Sequence, residues 1–303
     1  MRFLLIVAII CANVVATEPR GRVLLLGIDG CRYDAIEYSQ AVHLKKLAKA
    51  GMYSDHTDVL GDRETGAATI TGPGWCSALT GTWADKHGVR DNAFKNHQLA
   101  QFPTFMKRAK RAHPQCEVSV LVSWTPFQEH VFSAEEGCRL VSDGDRVGYA
   151  EADRQIANAA VRILETEDPT VLFAYFGEVD ITGHGYGFHP RAPKYTNAIE
   201  AVDKQIGQIL DVLKRRPNYT AENWLVIVCT DHGGQGRGHA FGRDVPEIRN
   251  GFLILWGDSV QPGKIQTRTF NVDVAVTALA HLGVTVSPEW KLDVRDLLSG
   301  DRQ

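Results

Sequence analysis

RVLLLGID, Arg22 to Asp29, is an unbroken apolar run closed by a glycine, an isoleucine and an acid. A strand with one wet face alternates apolar and polar residues. A run without alternation belongs to a strand covered on both faces, as in a parallel sheet with helices above and below. Similar runs recur at 117–124 (EVSVLVSW), 170–180 (TVLFAYFGEVD), 224–231 (WLVIVCTD) and 251–257 (GFLILWG). Helical patterns lie between them. Residues 34–50 run up to Gly51, and 149–165 place Ile156, Ala160, Ile163 and Leu164 on one side. Residues 193–215 space Ile199, Val202, Ile206, Ile209 and Leu213 at helical intervals before Pro217, and 272–283 end at Gly283. The alternation predicts an α/β protein: three layers, α/β/α, on a mostly parallel sheet.

The chain of 303 residues carries a net charge of −3 and has ample material for a core. That weak acidity leaves no basic footprint for nucleic acid. The first residues, MRFLLIVAIICANVVATEP, read as a signal peptide: one basic residue, an apolar run, then small residues at Val14 and Ala16 before a cut. The expected organisation is a leader over 1–16 and one domain over 17–303, secreted or lumenal, with no later membrane span. The alternative for the leader is an uncleaved anchor. Cys31, Cys76, Cys116, Cys138 and Cys229 remain after it, and Cys116 with Cys138 is the expected pair if a disulfide forms. Asn218-Tyr219-Thr220 is a glycosylation sequon.

In such sheets ligands bind beyond the carboxyl ends of the strands. The polar loops 56–70, 181–192 and 233–248 should meet there. The strand ends deliver Asp29 from GIDG, Asp180 and His184 from GEVDITGH, and Asp231, His232 and His239 from TDHGGQGRGH. Singly, each has an ordinary explanation as a turn or capping residue. Together they supply three carboxylates and three imidazoles, the donor set of two adjacent zinc ions, with other divalent metals open. Two metals about 3.5–4 Å apart can stabilise both oxygens of an in-line displacement.

TGPGWCSALTG, Thr71 to Gly81, then acquires a purpose. Turn-forming residues precede a buried helix, and a hydroxyl stands on the corner. Placed on a metal, the Thr71 hydroxyl ionises near neutral pH and becomes a nucleophile without a neighbouring base. The amides of the corner can approach an anion at the helix N-terminus. Cys76 falls inside the helix.

These motifs, in this order over roughly residues 22–290, resemble the alkaline phosphatase superfamily, most closely its nucleotide pyrophosphatase/phosphodiesterase branch. The resemblance implies an alkaline-phosphatase-like fold and divides the ligands. One zinc takes Asp29, Asp231, His232 and Thr71; the other takes Asp180, His184 and His239. For the last ligand, His281 in ALAHLGV is the rival of His239. Asn92 in KHGVRDN matches an asparagine that donates to a phosphoryl oxygen, and His87 of the same motif reads as structural. Tyr175 matches a tyrosine that stacks on a nucleobase. Gly72 stands where an aromatic residue normally covers the other face of the base, and its amide is an expected contact to phosphate.

Within the superfamily a formylglycine sulfatase is disfavoured, because position 71 is threonine and position 75 is tryptophan. Residues 123–132, SWTPFQEHVF, lack the Lys or Arg that helps hold a dianionic monoester, although a loop cation such as Arg63 could substitute. The expected function is a secreted di-zinc phosphoesterase cleaving phosphodiester or pyrophosphate bonds of a small molecule through a phosphothreonine intermediate. The alternatives are an alkaline phosphomonoesterase or phosphonate hydrolase of the same superfamily, and a non-catalytic secreted binding protein on the same fold. Oligomeric state is left open.

Overall fold

A computed structural model describes residues 21–133, 136–140, 142–293 and 296–298. The expected leader lies outside the described residues. The chain begins with β1 (Arg22–Ile28), α1 (Tyr33–Tyr38), α2 (Val42–Ala50) and β2 (Met52–Asp58). Next come α3 (Thr71–Thr80), α4 (Ala84–His87), α5 (Phe105–Ala112), β3 (Val118–Val122) and β4 (Cys138–Leu140). The middle holds α6 (Gly144–Val147), α7 (Tyr149–Thr166), β5 (Val171–Phe176), α8 (Glu178–Tyr186), α9 (Pro193–Lys214) and β6 (Trp224–Cys229). Last are α10 (Pro246–Arg249), β7 (Asn250–Trp256), β8 (Gly263–Lys264), β9 (Thr269–Phe270) and α11 (Asp273–His281).

The sheet order is β4-β3-β5-β1-β6-β7-β2-β8, with β9 also paired to β2. Among the described strands only β7 runs antiparallel to its neighbours, β6 and β2. The opening run is the centre of this sheet, with β5 on one side and β6 on the other. Its side chains alternate between two cores. Val23 and Leu25 pack with Trp75, Leu79, Phe105, Ala275 and Leu279 beneath α3, α5 and α11. Leu24, Leu26 and Ile28 pack with Ile36, Leu44, Ile156, Ile163, Ile199 and Ile206 beneath α1, α2, α7 and α9. Each such side chain taken fully out of water contributes about 1.5–3 kcal/mol, so both faces of the strand must be apolar. This is the three-layer α/β/α architecture expected from the apolar runs.

Several local expectations are corrected. Residues 34–50 form two helices, because Ser39 Oγ caps back onto Ile36 O and accepts from Ala41 N. The carboxylate of Asp203 then receives the His43 and Leu44 amides and starts α2 afresh. The polar stretch 56–70 is not loop throughout: its first residues complete the strand Met52–Asp58, whose inward Ser54 and Thr57 are satisfied by Thr269 Oγ1 at 2.7 and 2.9 Å. The run at 170–180 ends at Phe176, and Asp180 and His184 lie on α8, one turn apart. The pairing of Cys116 with Cys138 is overturned, and all five described cysteines are free thiols. Cys138 sits opposite Val120, four residues beyond Cys116. Four residues of strand span about 13 Å, whereas a disulfide needs its Cα atoms within about 7 Å.

Candidate metal centre

The carboxyl ends of β1 and β6 are neighbours, so Asp29 and Asp231 emerge side by side. Asp231 Oδ1 accepts the Gly30 amide at 3.3 Å. Gly30 has φ +61 and passes so close to Asp180 that a Cβ there would lie 2.5 Å from Asp180 Oδ1. That single turn brings the end of β1 against α8 and unites the three acids.

Two donor groups result. Asp29, Asp231 and His232 form one, fully buried, with His232 Nε2 3.5 Å from Asp29 Oδ1 and 3.2 Å from Asp231 Oδ2. Asp180, His184 and His239 form the other, with His239 Nε2 3.3 Å from Asp180 Oδ1 and His184 Nε2 3.4 Å from Asp180 Oδ2. The groups adjoin, for the His232 and His239 rings stack with centroids 3.9 Å apart. His184 is 43% exposed at its side chain and opens the second group to solvent.

The donor chemistry fits metal. Each histidine spends Nδ1 on a backbone carbonyl: His232 donates to Gly233, His184 to Arg237 and His239 to Thr69, at 2.8, 3.0 and 2.7 Å. That fixes the tautomer and leaves every Nε2 lone pair turned into the site. His184 Nε2 and His239 Nε2 then face one another across 2.8 Å, a contact that requires a proton or a cation between them. Buried polar atoms are normally paired. Among the described residues, Asp29 Oδ1, Asp180 Oδ1, Asp231 Oδ2 and His232 Nε2 have no hydrogen-bond partner, and all four belong to the two donor groups.

The electrostatics agree. Burial and the charge of Asp180 push Asp29 up to about 7. Burial with Asp29 and Asp180 raises Asp231 well above the carboxylate range. Burial also works against Asp180, but the His184 and His239 imidazoles beside it overcome burial and hold this carboxyl low. The adjacent Asp180 carboxylate raises His184 to about 9, and burial drives His232 down to about 3. Crowded carboxylates with outward-barred lone pairs are the condition that bound cations relieve.

Thr71 opens α3 and is 8% exposed. Thr69, two residues before, accepts from His239 Nδ1. Gly74, three residues after, packs against Asp231, where a Cβ would meet Asp231 O at 2.7 Å. Trp75, four residues after, donates Nε1–H to Asp29 Oδ2 at 3.0 Å. The corner is thus fastened to both donor groups, and among the described residues no hydrogen bond engages the Thr71 hydroxyl. The helix ends on Gly81 at φ 70, the expected stop. Burial raises the Cys76 thiol far above neutrality, so it stays protonated.

Other expected positions divide. Asn92 lies beside the corner, its Oδ1 accepting the Gly72 amide at 2.7 Å. The Gly72 N–H, expected at the phosphate, is given to Asn92 Oδ1 in this structure; Pro73 has none, and the Gly74 N–H bonds Ile70 O. Tyr175 as a base-stacking residue is corrected. It is 3% exposed, Trp75 and Phe127 meet its ring edge-on, and its hydroxyl donates to Asp29 Oδ2 at 2.9 Å. Arg63 is paired with Asp85 and Asp293 away from the donor groups. His281 bonds Asn223 O at the opposite end of the sheet, whereas His239 joins the site. His87 is buried, within 3.1 Å of Ser77 Oγ and accepting the Val89 amide, as a structural histidine should be. Trp75 and Thr69 were not anticipated as supports of the donors. Trp75 carries a hint in its place one helical turn beyond Thr71.

Comparison with known proteins accords with this geometry. Ectonucleotide pyrophosphatase/phosphodiesterase family member 7 of Rattus norvegicus is 22% identical over 241 residues, 75% of this chain and 53% of the relative. An uncharacterized pyrophosphatase/phosphodiesterase of Schizosaccharomyces pombe is 26% identical over 232 residues, 70% and 44%. The chain spans about half the length of the curated relatives it matches. Murine ectonucleotide pyrophosphatase/phosphodiesterase 5, solved as an inactive variant with AMP, superposes with a TM-score of 0.68 at 16% identity, covering 88% of this chain and 96% of that one. A 2-O GAG sulfatase gives 0.70 at 13% identity, covering 93% and 73%. Both structures share the alkaline-phosphatase-like fold. The sequence model of Type I phosphodiesterase / nucleotide pyrophosphatase matches residues 23–135 and 114–240, most of the chain and every donor named above, so the chain belongs to that family.

Proposed function

We propose that the protein is a secreted phosphoesterase that cleaves phosphodiester or pyrophosphate bonds with Thr71 as nucleophile. The observation that carries this reading is the unbonded Thr71 hydroxyl on a corner fastened to two donor groups with four unpaired buried atoms. Asp29, Asp231 and His232, with Thr71, would hold one cation, and Asp180, His184 and His239 a second; imidazole and carboxylate donors favour zinc. Bound there, the two ions supply positive charge and Lewis acidity for an in-line displacement.

The remaining work belongs to side chains. Thr71 Oγ1 gives up its proton, attacks phosphorus and expels one of the two ester oxygens, leaving a phosphothreonine that still carries the other half of the diester; water then attacks that phosphorus, returns a proton to Thr71 Oγ1 and releases the phosphomonoester. Asn92 has its Oδ1 committed to Gly72, so its free donor is Nδ2–H, and this donates to a phosphoryl oxygen. Trp75 and Tyr175 hold Asp29 from behind through Oδ2 and leave Oδ1 for the cation. The leader over 1–16 supports secretion, and residues 17–303 act as one domain in this reading.

A diester is favoured over a monoester because the loop cation Arg63 is committed to Asp85 and Asp293. A nucleobase finds no aromatic partner at Gly72 or Tyr175, so the reading rests on the phosphodiester and not on a nucleoside. Turnover of bis-p-nitrophenyl phosphate against p-nitrophenyl phosphate tests it. A diester preference is expected; a monoester preference of orders of magnitude overturns the choice. A protein that holds two metals and turns over neither would be the binding protein instead.

A further inference from the structure

The apolar stripe of α7 is interrupted by one acid. Tyr149, Ala152, Ile156, Ala157, Ala160, Ile163 and Leu164 are buried along it, and so is Asp153, at 1% exposure. A carboxylate is costly in such a place unless its oxygens are engaged. Both are. Asp153 Oδ1 accepts the Gly177 amide at 2.9 Å, and Oδ2 accepts the Glu178 amide at 3.0 Å. These are the orphan amides at the start of α8, where Gly177 offers no side chain of its own to satisfy them. One turn back on α7, the Tyr149 ring lies against the same glycine, so that a Cβ on Gly177 would stand 2.5 Å from it. Tyr149 and Asp153 together grip the first turn of α8.

That turn carries Asp180, and the next carries His184. Asp180 is already in close contact with Gly30, so a small rotation of α8 moves both donors relative to His239, which sits on a different loop. The other donor group is carried by the ends of β1 and β6 and receives nothing from α8. We propose that Asp153 is a positioning residue for one cation site only: it sets the orientation of α8 and thereby the affinity of Asp180, His184 and His239 for metal. The inference rests on the two-cation reading above.

The test is zinc content of purified full-length protein after dialysis against graded chelator, read by elemental analysis, for wild type, Asp153→Asn and Asp153→Ala. Supporting groups behind metal ligands typically alter affinity about 10- to 100-fold. Wild type should retain two equivalents over the lower chelator range. Asp153→Ala should release one equivalent at chelator strengths where wild type holds both, and keep the other. Asp153→Asn keeps one good acceptor and should fall between. Excess zinc should restore turnover of the variants toward wild type, which a general loss of packing would not allow. If Asp153→Ala fails to fold, the near-isosteric Asp153→Asn carries the test. Two equivalents released together, or neither released from a folded variant, overturns the inference. Wild type that never holds two equivalents overturns the two-cation reading itself, so the failures are distinguishable.

Discussion

Thr71→Ala separates chemistry from structure because Thr71 bears so little of the fold. Among the described residues its hydroxyl makes no hydrogen bond, so the substitution leaves no donor or acceptor stranded. It removes one methyl from a largely buried site, about 0.8 kcal/mol, and alanine returns a few tenths through helix propensity. The net change in stability should stay within about 1 kcal/mol, a Tm shift of roughly 2–4 °C for a domain of this size. The catalytic loss should be far larger. Deleting a nucleophile that acts with its neighbours costs on the order of 10⁴–10⁶ in kcat, which is about 5.5–8 kcal/mol of barrier. The assay pairs turnover of bis-p-nitrophenyl phosphate with a thermal melt and a metal determination on the same preparation. The expected outcome is a folded, metal-bearing and inert protein, with Thr71→Ser retaining measurable turnover. Activity within about tenfold of wild type would remove Thr71 from the chemistry. A collapse of Tm alongside activity would assign it a structural duty that its missing hydrogen bonds do not suggest.

Two further outcomes follow from single contacts. Burial lowers the His87 imidazole from 6.5 to about 3, so the folded state keeps it neutral while the unfolded chain takes up a proton below pH 6.5. Its contribution is whole above pH 6.5 and is lost as pH falls toward 3. At pH 5.5 wild type should have lost about 1.4 kcal/mol that His87→Gln does not lose, measured as the difference between their denaturant-unfolding pH profiles; parallel profiles would refute the assignment. At Gly72 a Cβ would lie 2.9 Å from Asn92 Oδ1 and 3.1 Å from Asp91 O. Gly72→Ala must therefore push the Asn92 loop away, costing about 1–3 kcal/mol of stability and lowering kcat/KM for diesters by about 10²-fold, the cost of a misplacement near 1 Å. Unchanged kinetics would show that Asn92 does not touch the phosphate.

What could be read from the chain depended on whether a signal was local. The apolar run at Arg22–Ile28 encodes burial on two faces within one segment, and its two cores appear as that pattern requires. The donors were legible because each lies on the segment that directly follows a strand, and a doubly wound sheet gathers its strand ends at one face. The strand at Met52–Asp58 was not legible, since its inward Ser54 and Thr57 are satisfied by Thr269, 215 and 212 positions away. The break at Ser39 was hidden for the same reason, because Asp203 supplies the cap that restarts the helix.

Tyr175 shows the limit most sharply. Its spacing before Asp180 fits an aromatic wall for a base, and spacing alone does not reveal which side of the sheet a strand residue faces at its last turn. Residue 175 faces the core that holds Trp75, and from there its hydroxyl reaches Asp29 Oδ2. The same carboxylate oxygen receives Trp75 Nε1–H, so one oxygen of Asp29 is saturated from the core while the other is left bare toward the donor group. Two aromatic residues thereby do for Asp29 what the backbone carbonyls do for the three histidines: they occupy the atom that faces the protein and point the remaining lone pair at the metal position. Asp153 extends this logic by one step, from orienting a ligand atom to orienting the helix that carries two ligands. Support of this kind is made by contacts between distant segments, and it becomes visible only when the atoms left unpaired are counted in three dimensions.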